Sequence, residues 1–224
     1  MKTQRGLSLM STLIGLLLAS ITLLAMLVLY RGTVRQTVGD NGSIRRASRD
    51  VQLDEALMTG SMKLQNAGYG LPAAKAGSDV VVLNGVTFTN GTTLDYAGNP
   101  LQTGRSPSGN AILWRVRGGN TTICQGLVAP ADGNLWFLQT ATDCSLGSAW
   151  NTIGWTPLPL LTGNTSVAAS QAAVFALSES ACWPYNSNAA AAPAGIRATI
   201  TLRDPVAGDV AHGVCLVNLT GWTP

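Results

Sequence analysis

The chain has 224 residues, with 14 Lys or Arg against 11 Asp or Glu, a net charge of +3. Only 11 % of residues are charged, against roughly 25 % in ordinary soluble domains, while 46 % are apolar. This composition excludes a disordered, highly charged tail, and the length suits one globular domain plus something more.

The first feature in chain order is Leu7–Tyr30, 24 residues without a charge, 18 of them apolar. At about 1.5 Å per residue such a helix reaches roughly 36 Å, enough to cross a bilayer core near 30 Å. A single transmembrane anchor is the plain reading. A cleaved secretory signal competes, although its apolar region usually runs only about 7–15 residues; a buried soluble helix is disfavoured by length. Lys2 and Arg5 precede the span and Arg31 and Arg35 follow it, so flanking charge does not set the orientation.

The junction before the span is more specific. A basic leader, Met1-Lys2-Thr3-Gln4-Arg5, ends in Gly6, and Leu7-Ser8-Leu9-Met10 opens the apolar helix directly. This resembles the class III leader of type IV pilins and of type II secretion pseudopilins. The resemblance implies that a prepilin peptidase cuts after Gly6 and methylates the new N-terminal Leu7. Cutting there keeps the apolar helix, which then holds the subunit in membrane lipid before packing into a filament core. The family's usual Glu at the fifth mature position is replaced by Ser11. A buried carboxylate needs a partner, which in the family is a neighbouring subunit's N-terminal amine. Some minor subunits lacking it cap the filament tip, so Ser11 suggests a tip or initiation role, against a tolerated substitution in an ordinary minor subunit.

Helical spacing continues through 31–66, with a break near 39–42 at Gly39-Asp40-Asn41-Gly42, where two glycines favour a turn. Ile44, Ala47, Val51, Met58 and Met62 read as the apolar stripe of an amphipathic stalk, expected to lie against the head. Arg45, Arg46 and Arg49 read as a solvated or subunit-contacting face more readily than as a DNA site. Gly68 with Pro72 beyond it gives the helix a stop. Ala67-Gly68-Tyr69-Gly70 also resembles the end of the first helix in PilW-like minor pilins. The resemblance covers residues 1–70 and implies an α+β, pilin-like fold: a long N-terminal hydrophobic helix, then an antiparallel, disulfide-containing β-sheet head over 67–224.

In the head, short β-type runs alternate with Gly, Asn, Asp and Pro. Val80–Leu83 and Val86–Thr89 flank Asn84-Gly85, which predicts a tight hairpin. Ala111–Val116 and Thr121–Cys124 flank Gly118-Gly119-Asn120 as a second. Leu135–Gln139 and Ala173–Ser178 read as strands, Ile196–Arg203 with Val214–Leu219 as a final antiparallel pair, and 98–109 and 147–170 as loops, while an ordered loop is expected around Ala189–Pro193. The even set Cys124, Cys144, Cys182 and Cys215 has no C-x-x-C pair, and His212 is the only histidine, so zinc ligation has little support. Two disulfides fit better and place the head outside the cytoplasm; sequence order suggests Cys124–Cys144 and Cys182–Cys215, one of three connectivities, with four free thiols the alternative.

Residues 67–224 carry six basic and seven acidic side chains, so a nucleic-acid partner is disfavoured there without being excluded. No phosphate loop, dinucleotide fingerprint, G-x-S-x-G or H-E-x-x-H appears, so neither an enzyme nor a cofactor is expected. Most of the six tryptophans read as core or sheet packing, with Trp150, Trp155 and Trp183, in turn-rich segments, the candidates for exposure to a ligand. The resemblance implies a minor pilin working with prepilin peptidase, other minor pilins, the major pilin and the inner-membrane assembly platform. It would be a single-pass inner-membrane protein with a periplasmic head, later displayed on the pilus. A type II secretion pseudopilin and a tip adhesin or DNA-uptake pilin are the alternatives.

Overall fold

A computed structural model describes residues 9–39, 42–89, 91–96, 98–146, 150–162, 173–182, 194–203 and 208–223. Contacts divide the chain into two units, Met1–Val51 and Gln52–Pro224. In the first, helix α1 runs unbroken from Leu9 to Val38, past the expected end of the span at Tyr30, and α2 (Ser43–Gln65) begins after the glycine break. The Gly39 N–H still donates to the Arg35 carbonyl at 3.1 Å, closing the last turn.

The second unit contains the rest of α2 and a β-rich head with fourteen strands among the described residues. The first seven are β1 (Ala74–Ala76), β2 (Val80–Leu83), β3 (Val86–Thr89), β4 (Thr93–Tyr96), β5 (Leu101–Gln102), β6 (Ser108–Gly109) and β7 (Ala111–Gly118). Then come β8 (Thr121–Val128), β9 (Leu135–Gln139), β10 (Thr156–Leu161), β11 (Ala173–Ala181), β12 (Ala194–Leu202), β13 (Val210–Cys215) and β14 (Leu219–Trp222). The large sheet has the order β10-β9-β8-β7-β2-β1-β14, with β5 also on β2; β13-β12-β11-β6 form a second sheet and β3-β4 a hairpin. The head is thus two sheets and a hairpin, largely antiparallel, with β1 parallel to both β2 and β14.

The large sheet is apolar on both faces, which explains the uninterrupted run Val80-Val81-Val82-Leu83, all buried. Val80, Val82, Ile112 and Trp114 face a core shared with α2 and the second sheet. Val81, Leu83, Ala111 and Leu113 face a smaller core with Val86, Leu94, Trp150 and Trp155. Alternation with period two sorts neighbouring residues into the two cores.

Four expectations are corrected, the first being the 98–109 loop, which contains the short strands β5 and β6. The Asn84-Gly85 hairpin does not form: β2 pairs with β7 on one edge and with β1 and β5 on the other, so no edge is left for β3. The chain leaves the sheet there, and β3 pairs with β4 instead. The final strand is two strands: β12 pairs with β13, ending at Cys215, while Leu219–Trp222 crosses to the large sheet beside β1. The 147–170 region contains β10, an edge strand whose Pro157 and Pro159 hid it, because proline is tolerated at a sheet edge. The hairpin of β7 and β8 forms as expected, turning between Gly118 and Thr121. The Ala189–Pro193 stretch lies outside the described residues.

The β3–β4 hairpin is fixed by Asn110, which is 2 % exposed. Its Oδ1 accepts from the Val86 N–H at 3.0 Å, and its Nδ2 donates to the Val86 carbonyl at 2.7 Å and the Ala129 carbonyl at 3.2 Å. Losing that amide strands buried backbone groups, so Asn110→Ala is expected to cost the full-length chain in detergent about 3 kcal/mol. The exposed Thr87→Ala stays within about 0.5 kcal/mol. Denaturant titration followed by tryptophan fluorescence checks both, and an unchanged Asn110→Ala midpoint refutes this role.

Candidate membrane anchor and assembly surface

No residue of α1 is buried by the chain. Leu16, Leu24 and Leu29 are 72, 63 and 71 % exposed, and the rest of the Leu9–Tyr30 span is similar. Thirty residues at about 1.5 Å each give a rod of roughly 45 Å, longer than a bilayer core. Three of its hydroxyls are satisfied locally: Thr12, Ser20 and Thr22 donate to carbonyls one turn back at 2.8, 2.8 and 2.9 Å. Such back-bonding lets polar residues sit on a helix in an apolar medium. The single N-terminal apolar helix is therefore compatible with a single-pass membrane anchor. Ser11 lies exposed on its first described turns, whereas the Gly6–Leu7 junction falls outside the described residues.

On α2 the buried face differs from the one expected. Leu53, Ala56, Leu57, Ser61 and Leu64 are buried, whereas Ile44, Val51, Met58 and Met62 are 59–67 % exposed and Ala47 is exposed. Periodicity identifies stripes but does not rank two of them on one helix. What ranks them is shape: Gly60, between the leucines, lets the helix approach Leu127 and Ile200, and a Cβ there would lie 3.4 and 3.6 Å from their methyl groups. After Gln65 the chain turns through Gly68 at φ 78°, a left-handed position as the stop predicts. The Asn218 amide donates at 3.2 Å to the carbonyls of Gln65 and Ala67, tying β14's approach to the helix end. Of the arginine cluster, Arg45 and Arg46 have side chains outside the described set, and Arg49 is half-buried.

Both disulfides form in sequence order. Cys124 on β8 bonds Cys144, and Cys182 bonds Cys215 at the end of β13, with Cα–Cα separations of 5.8 and 5.6 Å. No cysteine is free. The first bridge closes a loop fixed by the Cys124 N–H donating to Thr140 Oγ1 at 3.0 Å and the Thr140 N–H to the Cys124 carbonyl at 2.9 Å.

The remaining chemistry-bearing residues fall into structural contacts. His212 has a partner that sequence reading missed: its Nδ1 lies 3.0 Å from Ser61 Oγ, linking β13 to α2. That hydroxyl is 3 % exposed, within the packed helix face. Among the described residues no group of three or more His, Cys, Asp or Glu could hold a metal ion. Trp150 and Trp155 are not open to a ligand but 6 and 2 % exposed, in the smaller core, with the Tyr96 ring tilted against Trp150 at 5.0 Å between centroids; Trp183 lies outside the described residues. A crevice of about 300 Å³ is lined by Val80, Val82, Gln102, Arg105 and Trp222, with Arg105 paired to Glu179 at 3.0 Å. No family model, curated protein or solved structure matches the chain.

The exposed helix gives a direct test. Each arginine at a membrane-helix centre costs about 2.5–3.5 kcal/mol of insertion on the translocon scale. Leu17→Arg with Ile21→Arg is expected to move the chain from the carbonate-resistant membrane pellet to the soluble or degraded fraction. Retention of the double variant in the pellet would refute the anchor.

Proposed function

We propose that this chain is a minor pilin of a type IV pilus, acting in pilus assembly and initiation, with a place at the tip. The observation that carries the reading is the basic leader ending in Gly6 directly before an apolar helix that the chain itself leaves bare. A leader cut there discards Lys2 and Arg5 and keeps the helix, which serves first as an inner-membrane anchor and then as a filament-core element. The two bridges suit an oxidising compartment and so support a periplasmic head, later displayed at the cell surface. Ser11 in place of the family's Glu supports the tip, where no subunit above offers an amine to pair. The partners are prepilin peptidase, the other pilins, the assembly platform and, before assembly, lipid. A type II secretion pseudopilin shares the leader and helix, and deletion separates the two: loss of surface pili supports the pilin, and a block in protein secretion supports the pseudopilin.

Intact-mass and N-terminal analysis of the mature protein is expected to find Leu7 first and methylated. An intact Met1, or a cut near Ala19-Ser20, overturns the reading. For the tip, epitope labelling of the wild type is expected at fibre ends, with Ser11→Glu altering pilus number; shaft labelling with unchanged numbers assigns an ordinary minor subunit.

A further inference from the structure

We infer that Asn84-Gly85 is a site of spontaneous deamidation, and that its isoaspartyl product loosens the β3–β4 hairpin from the head. An Asn-Gly pair carries the reacting parts itself: a side-chain carboxamide as electrophile and, one residue on, a peptide nitrogen with no side chain beside it. The fold decides whether the two can meet. Inside a tight hairpin the turn backbone is held by both strands. Here that hairpin does not form, because β1, β5 and β7 occupy both edges of β2. Asn84 and Gly85 are instead an exposed two-residue link between strands of different sheets.

The link is anchored at its start, where the Asn84 N–H donates to the Pro100 carbonyl at 2.8 Å. Among the described residues, neither the Asn84 carboxamide nor the Gly85 N–H has a hydrogen-bond partner. Gly85 lies at φ 73°, and nothing stands within 4 Å of where its Cβ would be. Glycine takes this conformation without steric cost, so the attacking nitrogen is uncrowded. Two further pairs, Asn41-Gly42 and Asn90-Gly91, have asparagines outside the described residues, and peptide mapping separates them from this one.

Loss of the Gly85 N–H proton to solvent base frees the nucleophile. Its nitrogen bonds to the Asn84 side-chain carbonyl carbon, and the side-chain amide leaves, protonated by water, as ammonia. Water then opens the five-membered imide at either carbonyl. One opening gives aspartate; the other gives isoaspartate, whose main chain runs through the side-chain carbon and gains one backbone atom. That extra atom falls between two fixed points. Leu83 is fully buried in β2, and Val86, 1 % exposed, is held through both its backbone groups by Asn110. A longer link displaces Val86 from that hold and leaves buried polar groups unpaired, the same loss as removing the Asn110 amide. The hairpin brings Val86 and Leu94 to the smaller core, so reaction at one exposed link opens that core's cover.

The test incubates the full-length chain at neutral pH, folded in detergent and unfolded in urea, and maps its peptides by mass spectrometry. The folded chain is expected to gain the mass of an amide-to-acid exchange at residue 84, and isoaspartyl methyltransferase to label the same peptide. Asn84→Ser abolishes both signals there. Gly85→Asp slows the folded reaction by crowding the nitrogen, since aspartate tolerates the left-handed backbone. The aged wild type is expected to unfold at lower denaturant, towards the Asn110→Ala midpoint, while aged Asn84→Ser keeps the midpoint of its fresh sample. Conversion at residue 84 in urea but not in the folded chain overturns the site. Conversion without the isoaspartyl label, conversion with an unchanged midpoint, or an equal midpoint loss in aged Asn84→Ser overturns the loosening.

Discussion

The rest of the molecule depends on the cost of leaving α1 in water. Between Leu9 and Tyr30, fifteen large apolar side chains are more than half exposed. Covering each contributes about 1.5–3 kcal/mol, so the sum is of order tens of kcal/mol, beyond the roughly 5–15 kcal/mol that holds a domain folded. No described residue of this helix is buried, so its cover must come from outside it. That separates two folding problems: a head that closes its own core and an apolar helix that does not. The low charge of the whole sequence follows partly from this division. The apolar helix has no charged residue through Tyr30, and the head is polar mainly through Ser, Thr, Asn and Gly.

The head meets its own problem with layers. A sheet buried on both faces needs a covering layer on each side. One cover combines α2 with the second sheet; the other is the β3–β4 hairpin with Cys144, Leu146, Trp150, Ile153 and Trp155. The second cover is thin, which explains what holds it. Asn110 ties β3 to the end of β8, the Cys124–Cys144 bridge closes the following loop, and Trp150 and Trp155 supply bulk that short strands lack. On the other side, the Cys182–Cys215 bridge joins the end of β11 to β13 across β12, and Ser61 reaches His212 on the same outer strand.

What could be read from the sequence was local. The length and apolarity of α1, the glycine break, the stop at Gly68, the β7–β8 hairpin and most strand positions each follow from a few adjacent residues. What could not be read depended on partners distant in sequence. Asn84-Gly85 is a sound turn signal, but whether it closes a hairpin depends on who occupies the edges of β2, and those occupants lie at 76, 101–102 and 111–114. Pro157 and Pro159 argue against a strand unless that strand is known to be at an edge. Turn-rich surroundings suggested exposure for Trp150 and Trp155, while their burial is set by β3 and β4. The pairing of His212 with Ser61 spans 151 residues and leaves no local trace.

The stalk helix shows the same limit in its most informative form. Its sequence carries two apolar stripes, one of Leu, Ala and Gly and one of Ile, Val and Met, and helical period alone cannot say which faces inward. Packing density decides it: leucines and small residues fill the narrow space against Leu127 and Ile200, where methionine would be loosely held. Once leucines and small residues take the inner face, Met58 and Met62 are left outside beside Asp54 and Glu55, so the apolar side chains that a periodic count finds first are the ones that the head does not need.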